Sequence, residues 1–130
     1  MLEESIKAGL LPANVIATNN WLEKNHSIKK CLDLSLISIV SKDALASAIS
    51  TKNPDGVAAL IKRSDLRAFS LDPEDDLILV LDRIQDPGNI GNLFRIALSA
   101  GVNKILLAGG ANPLSSKVLR SSCGSIFHLP

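Results

Sequence analysis

The sequence predicts an α/β protein made of two small domains. Strand-like and helix-like segments alternate along residues 1–70, and residues 77–108 follow the order strand, helix, strand. Residues 77–81 (LILVL) are a continuous apolar run, which is typical of a strand buried on both faces of a parallel sheet. A polar connector over residues 64–76 separates the two patterns, so the predicted domains are 1–70 and 71–130.

The first domain is predicted to be a small α/β sandwich. Leu2, Ile6 and Leu10 recur at helical spacing, and Gly9 and Pro12 supply stop signals for that helix. The other predicted elements are a strand at 14–18, a polar helix at 19–30, a strand at 34–40, a helix at 42–50 capped by Ser41, a turn at 53–56 and a strand at 57–61.

The second domain is predicted to hold one right-handed βαβ unit. Its predicted elements are the strand at 77–81, a loop and then a helix to about residue 100, a strand at 104–108, a short helix at 115–122 and the entry into a strand at 125–130. No capping residue precedes Leu2, and the sequence ends where the last predicted strand has only begun. We therefore expect the chain to be truncated at both ends.

Composition excludes several classes of protein. The chain has 130 residues, 46% hydrophobic and 21% charged, which argues against global disorder. One Trp and three Phe argue against a stacking surface for RNA bases, and a net charge of +1 excludes a bulk polycation. Cys31 and Cys123 have no CxxC partner, so no metal site is expected. No apolar run approaches the roughly 18 residues of a membrane span, and no signal peptide is evident, so we expect a cytoplasmic protein.

The charges are unevenly distributed along the second domain. Residues 71–88 contain six carboxylates and one cation, whereas residues 89–130 contain no carboxylate. The four cations of that last segment are Arg95, Lys104, Lys117 and Arg120. A surface without carboxylates next to a helix N-terminus suits a partner that carries phosphate, although chance in a short segment explains the pattern equally well.

The loop at residues 86–92 (DPGNIGN) is the strongest candidate for a site, because it follows a parallel strand. We expect Asn89 to cap the following helix and Gly91 to permit close backbone approach. Asn92, Arg95 and Ser99 then fall on one helical face, where a guanidinium fork can grip a phosphate. The residues alone favour an ordinary βα turn with a capped helix and a surface arginine. They form neither a dinucleotide fingerprint nor a P-loop.

The stretch LVLDRIQDPGNIGNLFRIALSAGVNKILLAGG resembles the first motif of the SpoU (TrmH-like) branch of the SPOUT RNA methyltransferases. The following NPLSSKVLRSSCGSIFHLP is similar to the next segment of that family. Upstream, MLEESIKAGLLPANVIAT and ISIVSKDALASAISTKNPDGVAALIKR resemble its small ribosomal-protein-like α/β/α substrate-binding domain. The pattern DPxNxGxxxR after a strand is specific, and the resemblance covers nearly the whole chain.

The resemblance implies 2′-O-methylation of a ribose in ribosomal or transfer RNA, with S-adenosylmethionine as methyl donor. It implies that Asn89 and Arg95 are catalytic and that RNA is contacted by Arg95, Asn92, Lys117 and Arg120. Because a guanidinium stays protonated, Arg95 is expected to position the RNA rather than to remove a proton. The complete protein is expected to be a homodimer.

The family's later motifs, which tie a trefoil knot and bind the methyl donor, do not occur before Pro130. Cofactor-binding residues are therefore expected beyond the sequence, and this chain alone is expected to be inactive. Two other functions stay open. One is a non-catalytic RNA-binding module, in which the first domain binds RNA through Lys29, Lys30, Lys62 and Arg63. The other is a nucleotide-binding α/β protein that shares only the βαβ unit.

Overall fold

The computed structural model describes residues 1–49, 51, 53–66 and 77–129, and the chain divides into two compact units. The first unit is Gly9–Asp65 with Leu2, and the second is Glu3–Ala8 and Leu66–Pro130 with Met1. The first helix thus packs with the second unit, whereas the sequence placed it in a 1–70 domain. The predicted boundary after residue 70, most of the connector, the helix end at residue 50 and Pro130 lie outside the described residues.

The first unit is built on a three-stranded sheet of order β2-β1-β3. Strand β1 runs parallel to β2 and antiparallel to β3, with Val15 opposite Ile37 and Ala59. The elements of this unit are β1 (Asn14–Ala17), α2 (Asn19–Lys24), α3 (His26–Lys30), β2 (Ile37–Ile39), α4 (Lys42–Ala48) and β3 (Val57–Leu60). Its fully buried side chains include Val15 and Leu45, so the predicted α/β class is confirmed for this unit.

Two predictions for the first unit were wrong in detail, and local hydrogen bonds explain both. The predicted helix at 19–30 is broken at Asn25, whose side-chain amide donates to the carbonyl oxygen of Trp21 at 2.8 Å. The predicted strand at 34–40 begins with a 3₁₀ helix, Leu34–Leu36. There the Asp33 carboxylate accepts from both the backbone N–H and the hydroxyl of Ser35. Asn and Asp side chains compete with regular structure in this way.

The second unit contains the predicted βαβ arrangement. Strands β4 (Ile78–Asp82) and β5 (Lys104–Ala108) pair in parallel, with Leu81 opposite Leu107. Helix α5 (Pro87–Ser99) connects them and buries Ile90, Phe94 and Ala97. The unit also holds α1 (Leu2–Lys7) and α6 (Ser116–Ser121). None of the helices in the described part of the chain is long and apolar enough to cross a lipid bilayer.

The last turns of the described chain are helical, so the strand predicted from residue 125 was wrong. Ser125–Phe127 form a 3₁₀ helix that starts after Gly124, which has a φ of +92°. The Ser125 hydroxyl donates to the carbonyl oxygen of Ser122 at 2.8 Å and holds the tight turn closed. His128 then lies 3.2 Å, Nε2 to Oε2, from Glu4 of α1, which ties these turns to the first helix.

Candidate functional site

The loop between β4 and α5 is organised by Asp86, not by Asn89. The Asp86 side chain occupies the N-cap and accepts from the backbone N–H of Asn89 at 2.8 Å, while Pro87 fills the first helical position. This places Asn89 inside the first turn, so the prediction that it caps the helix was wrong. Proline at the first helical position is favourable because its φ is already helical. The helix therefore starts about one turn before the point where it would start if Asn89 were the cap.

The cap and a neighbouring cation shift the titration of Asp86. The backbone N–H of Asn89 stabilises the ionised carboxylate and, together with Lys117, lowers the pKa of Asp86 below its ordinary value. The Lys117 Nζ lies 3.9 Å from Asp86 Oδ2, and both side chains are more than half exposed. The Asp86 carboxylate at the start of α5 is therefore stabilised by the backbone N–H of Asn89 and by the nearby ammonium group of Lys117.

One face of α5 is polar and exposed, as the spacing predicted. Asn89, Asn92, Arg95 and Ser99 are all exposed, whereas the opposite face is buried in the unit. A shallow depression of about 620 Å³ runs along this face. Its described lining consists of Asn92, Arg95, Ile96, Ser99 and Ala100.

Arg95 is the strongest candidate for an anion contact on this face. Its backbone carbonyl accepts from the Ser99 hydroxyl at 2.9 Å. Within the described part of the chain, its guanidinium takes part in no hydrogen bond or ion pair. A guanidinium that is exposed and unpaired can offer its planar set of donors to an incoming phosphate or carboxylate.

Helix α6 is positioned against α5 through a contact between small residues. The backbone of α5 at Gly91 lies directly against Ser121 and Ser122, and the Ser121 Oγ lies 3.2 Å from the Pro87 carbonyl oxygen. This contact confirms that Gly91 permits close approach. Lys117 and Arg120 lie one turn apart on α6, and both side chains are exposed.

Lys104, the fourth cation of residues 89–130, lies apart from the loop that precedes α5. This residue is only 9% exposed and begins β5, at the end of the strand away from the loop that precedes α5. It pairs in register with Ile78, the first residue of β4. The exposed cations of segment 89–129 are therefore Arg95, Lys117 and Arg120, and Lys117 reaches Asp86 in the loop.

The loops at the carboxyl ends of β4 and β5 pack on each other. Such loops are where a parallel sheet usually holds a nucleoside. Here a Cβ at Gly110 would lie 2.9 Å from the backbone nitrogen of Ile84, and the N–H of Ala111 donates to the Ile84 carbonyl oxygen at 2.9 Å. The two loops are therefore in direct backbone contact at Gly110 and Ala111. Over the described ranges, no cluster of three or more His, Cys, Asp and Glu residues could hold a metal ion.

Sequence reasoning placed Asp86 in the candidate loop but not at the cap, and it did not identify Ile96 or Ala100 as residues of this region. The Asp-Pro pair was the available signal for the cap, because it places a capping side chain directly before a helical proline. Ile96 and Ala100 lie four and eight residues after Asn92 and so share its helical face. Their apolar character gave no reason to separate them from the buried residues of the helix.

Comparison with known proteins identifies relatives of this chain. Residues 76–130 match the model of the SpoU rRNA Methylase family. The chain is 43% identical over 116 residues to an uncharacterized tRNA/rRNA methyltransferase of Synechocystis sp., an alignment that covers 87% of this chain and 42% of that protein. It is 35% identical over 98 residues to the 23S rRNA (guanosine(2553)-2′-O)-methyltransferase RlmP of Bacillus subtilis, covering 71% of this chain and 36% of that protein.

A solved structure shares the fold across both units. The AdoMet-bound rRNA methyltransferase from Sinorhizobium meliloti matches 99% of this chain and 49% of its own chain, with a TM-score of 0.76 and 23% identity. This likeness confirms the expected fold, in which a small α/β domain is followed by the first βαβ part of a SPOUT domain. The chain spans less than half the length of the curated relatives and of the solved structure it matches.

Proposed function

Because residues 76–130 belong to the SpoU rRNA methylase family, we propose that the protein is an RNA methyltransferase that acts on a ribose 2′-hydroxyl. The observation that carries the proposal is the exposed guanidinium of Arg95, which has no partner among the residues that the structure describes and lies beside Asn92 on the polar face of α5. The name of the Bacillus relative, a 2′-O-methyltransferase of 23S rRNA, supports the choice of a ribose hydroxyl and of ribosomal RNA.

Arg95 is assigned the role of holding the RNA backbone next to the ribose to be methylated. A guanidinium that grips a phosphate with two parallel hydrogen bonds fixes the orientation of the nucleotide as well as its position. The same group cannot serve as a base, because it stays protonated. Asn92 lies one turn before Arg95, and its side-chain amide offers a donor and an acceptor to the ribose or to the adjacent nucleotide. Asn89, one turn earlier again, extends this polar face.

The charge balance of residues 77–129 favours a polyanion as partner. Between residues 77 and 129 the carboxylates are Asp82 and Asp86. Asp82 is paired with Arg83, with 2.9 Å between Nε and Oδ1, and Asp86 is held by its cap and by Lys117. Neither opposes a phosphate strongly, whereas Arg95 and Arg120 have no described acidic partner. RNA association driven by such cations weakens as salt concentration rises.

The methyl donor that we propose for the complete protein is S-adenosylmethionine, which supplies the methyl group. Support comes from the family and from the solved structure named above, which is described as AdoMet-bound. None of the described residues is assigned to the donor. Homodimer formation, the ribosomal nature of the RNA and the cytoplasmic location stay predictions.

Methyl transfer by the full-length protein that contains this chain tests the proposal. We expect Arg95→Ala to lower the rate on ribosomal RNA by about 100-fold or more, and Arg95→Lys to retain only part of the activity, because an ammonium lacks the planar fork. Lys42→Ala is the matched control, since it removes an exposed cation that has been assigned no contact with RNA. Wild-type methylation by the Arg95→Ala variant would remove Arg95 from the mechanism.

A further inference from the structure

Arg83, the residue that follows β4, holds a backbone conformation that arginine disfavours. Its φ of +51° lies in the left-handed region, which glycine and asparagine adopt at lower cost. Neighbouring backbone fixes this turn, because the Arg83 N–H donates to the Ala108 carbonyl oxygen at 3.1 Å and Gly110 packs against the backbone of Ile84. Strain of this kind clusters at functional sites, which directs attention to the Arg83 side chain.

The Arg83 side chain lies at the carboxyl edge of the parallel strands β4 and β5. A Cβ added to Gly109, in the loop after β5, would lie 3.6 Å from Arg83 Cγ, so the stem of the side chain runs beside the end of β5. Ligands of parallel sheets usually bind at this edge. Arg83 also precedes the Asp86 cap by three residues, and it therefore belongs to the same loop as the start of α5.

Among the residues that the structure describes, the partner of the Arg83 guanidinium is its neighbour in sequence. Arg83 Nε lies 2.9 Å from Asp82 Oδ1 and Nη2 lies 3.2 Å from Oδ2, so the planar fork holds the carboxylate with two hydrogen bonds. The two side chains are 77% and 60% exposed. An ion pair this exposed contributes little net stability, because water screens both charges. A phosphate offers an equivalent pair of oxygens and can replace the carboxylate.

We propose that Arg83 is a second contact for the RNA backbone, and that Asp82 holds its guanidinium until a phosphate of the RNA takes the place of the carboxylate. This inference rests on the proposed function and adds to it an RNA-binding residue and an intramolecular competitor. In the free protein the two charges cancel. After the exchange the guanidinium neutralises a phosphate, which raises the affinity for RNA and its dependence on salt.

Binding of a fluorescein-labelled decamer of uridylate to the 130-residue chain, measured by fluorescence anisotropy over a salt series, tests the exchange. Asp82→Asn removes the competitor, so we expect it to bind about two- to fivefold more tightly than wild type. The double variant, Asp82→Asn with Arg83→Asn, should bind roughly tenfold more weakly than Asp82→Asn, with a slope of log affinity against log salt lower by about 1. Asparagine tolerates the left-handed conformation, so the turn is kept.

Two control variants separate this exchange from a general effect of charge. Asp55→Asn removes an exposed carboxylate of the first unit, and Lys42→Asn removes an exposed cation from α4. Neither residue lies near the carboxyl edge of β4 in sequence, and we expect both variants to bind the decamer like wild type. Circular dichroism melting confirms that each variant is folded.

Four results would overturn the inference. If the double variant binds as tightly as Asp82→Asn, Arg83 does not contact RNA, and weaker binding by Arg95→Ala shows in that case that the proposed function stands. If Asp82→Asn binds no more tightly than Asp55→Asn, the carboxylate is not a competitor. If a decamer of glutamate binds wild type as tightly as uridylate, the edge is a contact for acidic protein segments. If wild type binds neither probe, the inference and the proposed function fail together.

Discussion

Gly91 of α5 and Ser121 of α6 are in direct contact, and no side chain fits between them. A Cβ added to Gly91 would overlap the Ser121 hydroxyl and would lie 2.7 Å from both the Ser121 Cβ and the backbone nitrogen of Ser122. The Ser121 hydroxyl also reaches the Pro87 carbonyl oxygen at 3.2 Å, so α6 is held against the first turns of α5. The placement of Lys117 beside Asp86 depends on this contact.

We expect Gly91→Ala to destabilise the protein by about 1–3 kcal/mol, because the added methyl group forces the two helices apart. The usual effect inside a helix has the opposite sign, a gain of roughly 0.5–1 kcal/mol from the better helix former. Urea denaturation of the two proteins measures the difference in the free energy of unfolding. A second variant, Gly91→Ala with Ser121→Gly, should recover part of the loss. A stabilised Gly91→Ala protein would contradict the observed packing.

Removal of the cap on α5 should lower the melting temperature. In Asp86→Ala the N–H of Asn89 loses its acceptor and the first turn frays, so we expect a fall of several degrees. Asp86→Asn keeps a capping oxygen at the same place and serves as the matched control, with a smaller fall expected. Equal melting temperatures for wild type and Asp86→Ala would show that the cap does not stabilise the helix.

The lowered pKa of Asp86 predicts a pH-dependent difference between wild type and Asp86→Asn. A carboxyl whose pKa is lower in the folded state adds stability above its unfolded pKa, near the ordinary value of 3.8, and loses it as pH falls through the folded pKa. The advantage of wild type over the variant should be constant near neutral pH and shrink below about pH 4. Because Glu4 and Asp33 also have lowered pKa values, only this pairwise difference isolates Asp86. A difference that grows on acidification would contradict the assignment.

Arg83 follows β4 in a left-handed conformation, with a φ of +51°. Asn tolerates this conformation and β-branched residues do not. We expect Arg83→Asn to be at least as stable as wild type, and Arg83→Val to be less stable by roughly 1–2 kcal/mol. The exposed ion pair with Asp82 is lost in both variants, so the difference in stability between them reports the cost of the left-handed backbone conformation. Chemical denaturation checks the order, and equal stability of the two variants would contradict it.

Patterns of apolar residues predicted the main elements of the fold. The run at 77–81 and the helical spacing after it gave the βαβ unit, and the polar face with Asn92 and Arg95 followed from the same helical period. The cap at Ser41 was also predicted, because its hydroxyl precedes a run of helix-forming residues and accepts from the Ala44 N–H at 3.1 Å.

What the sequence did not predict depends on competing side chains or on distant contacts. Asn25 and Asp33 bond to nearby backbone and interrupt regular structure, which apolar periodicity does not reveal. The assignment of α1 to the second unit, marked by Glu4 beside His128, joins residues 124 positions apart. The low exposure of Lys104 follows from its strand position and is not visible in a count of charges.

The central claim, that Arg95 on the face of α5 meets the RNA backbone, is tested most directly by the affinity of the 130-residue chain for ribosomal RNA fragments across a salt series. Loss of one phosphate contact should weaken binding by roughly tenfold and lower the slope of log affinity against log salt by about 1 in Arg95→Ala. Arg63→Ala should leave both unchanged. If Arg95→Ala binds like wild type and Arg63→Ala loses affinity, RNA is held by the first unit and the claim is contradicted.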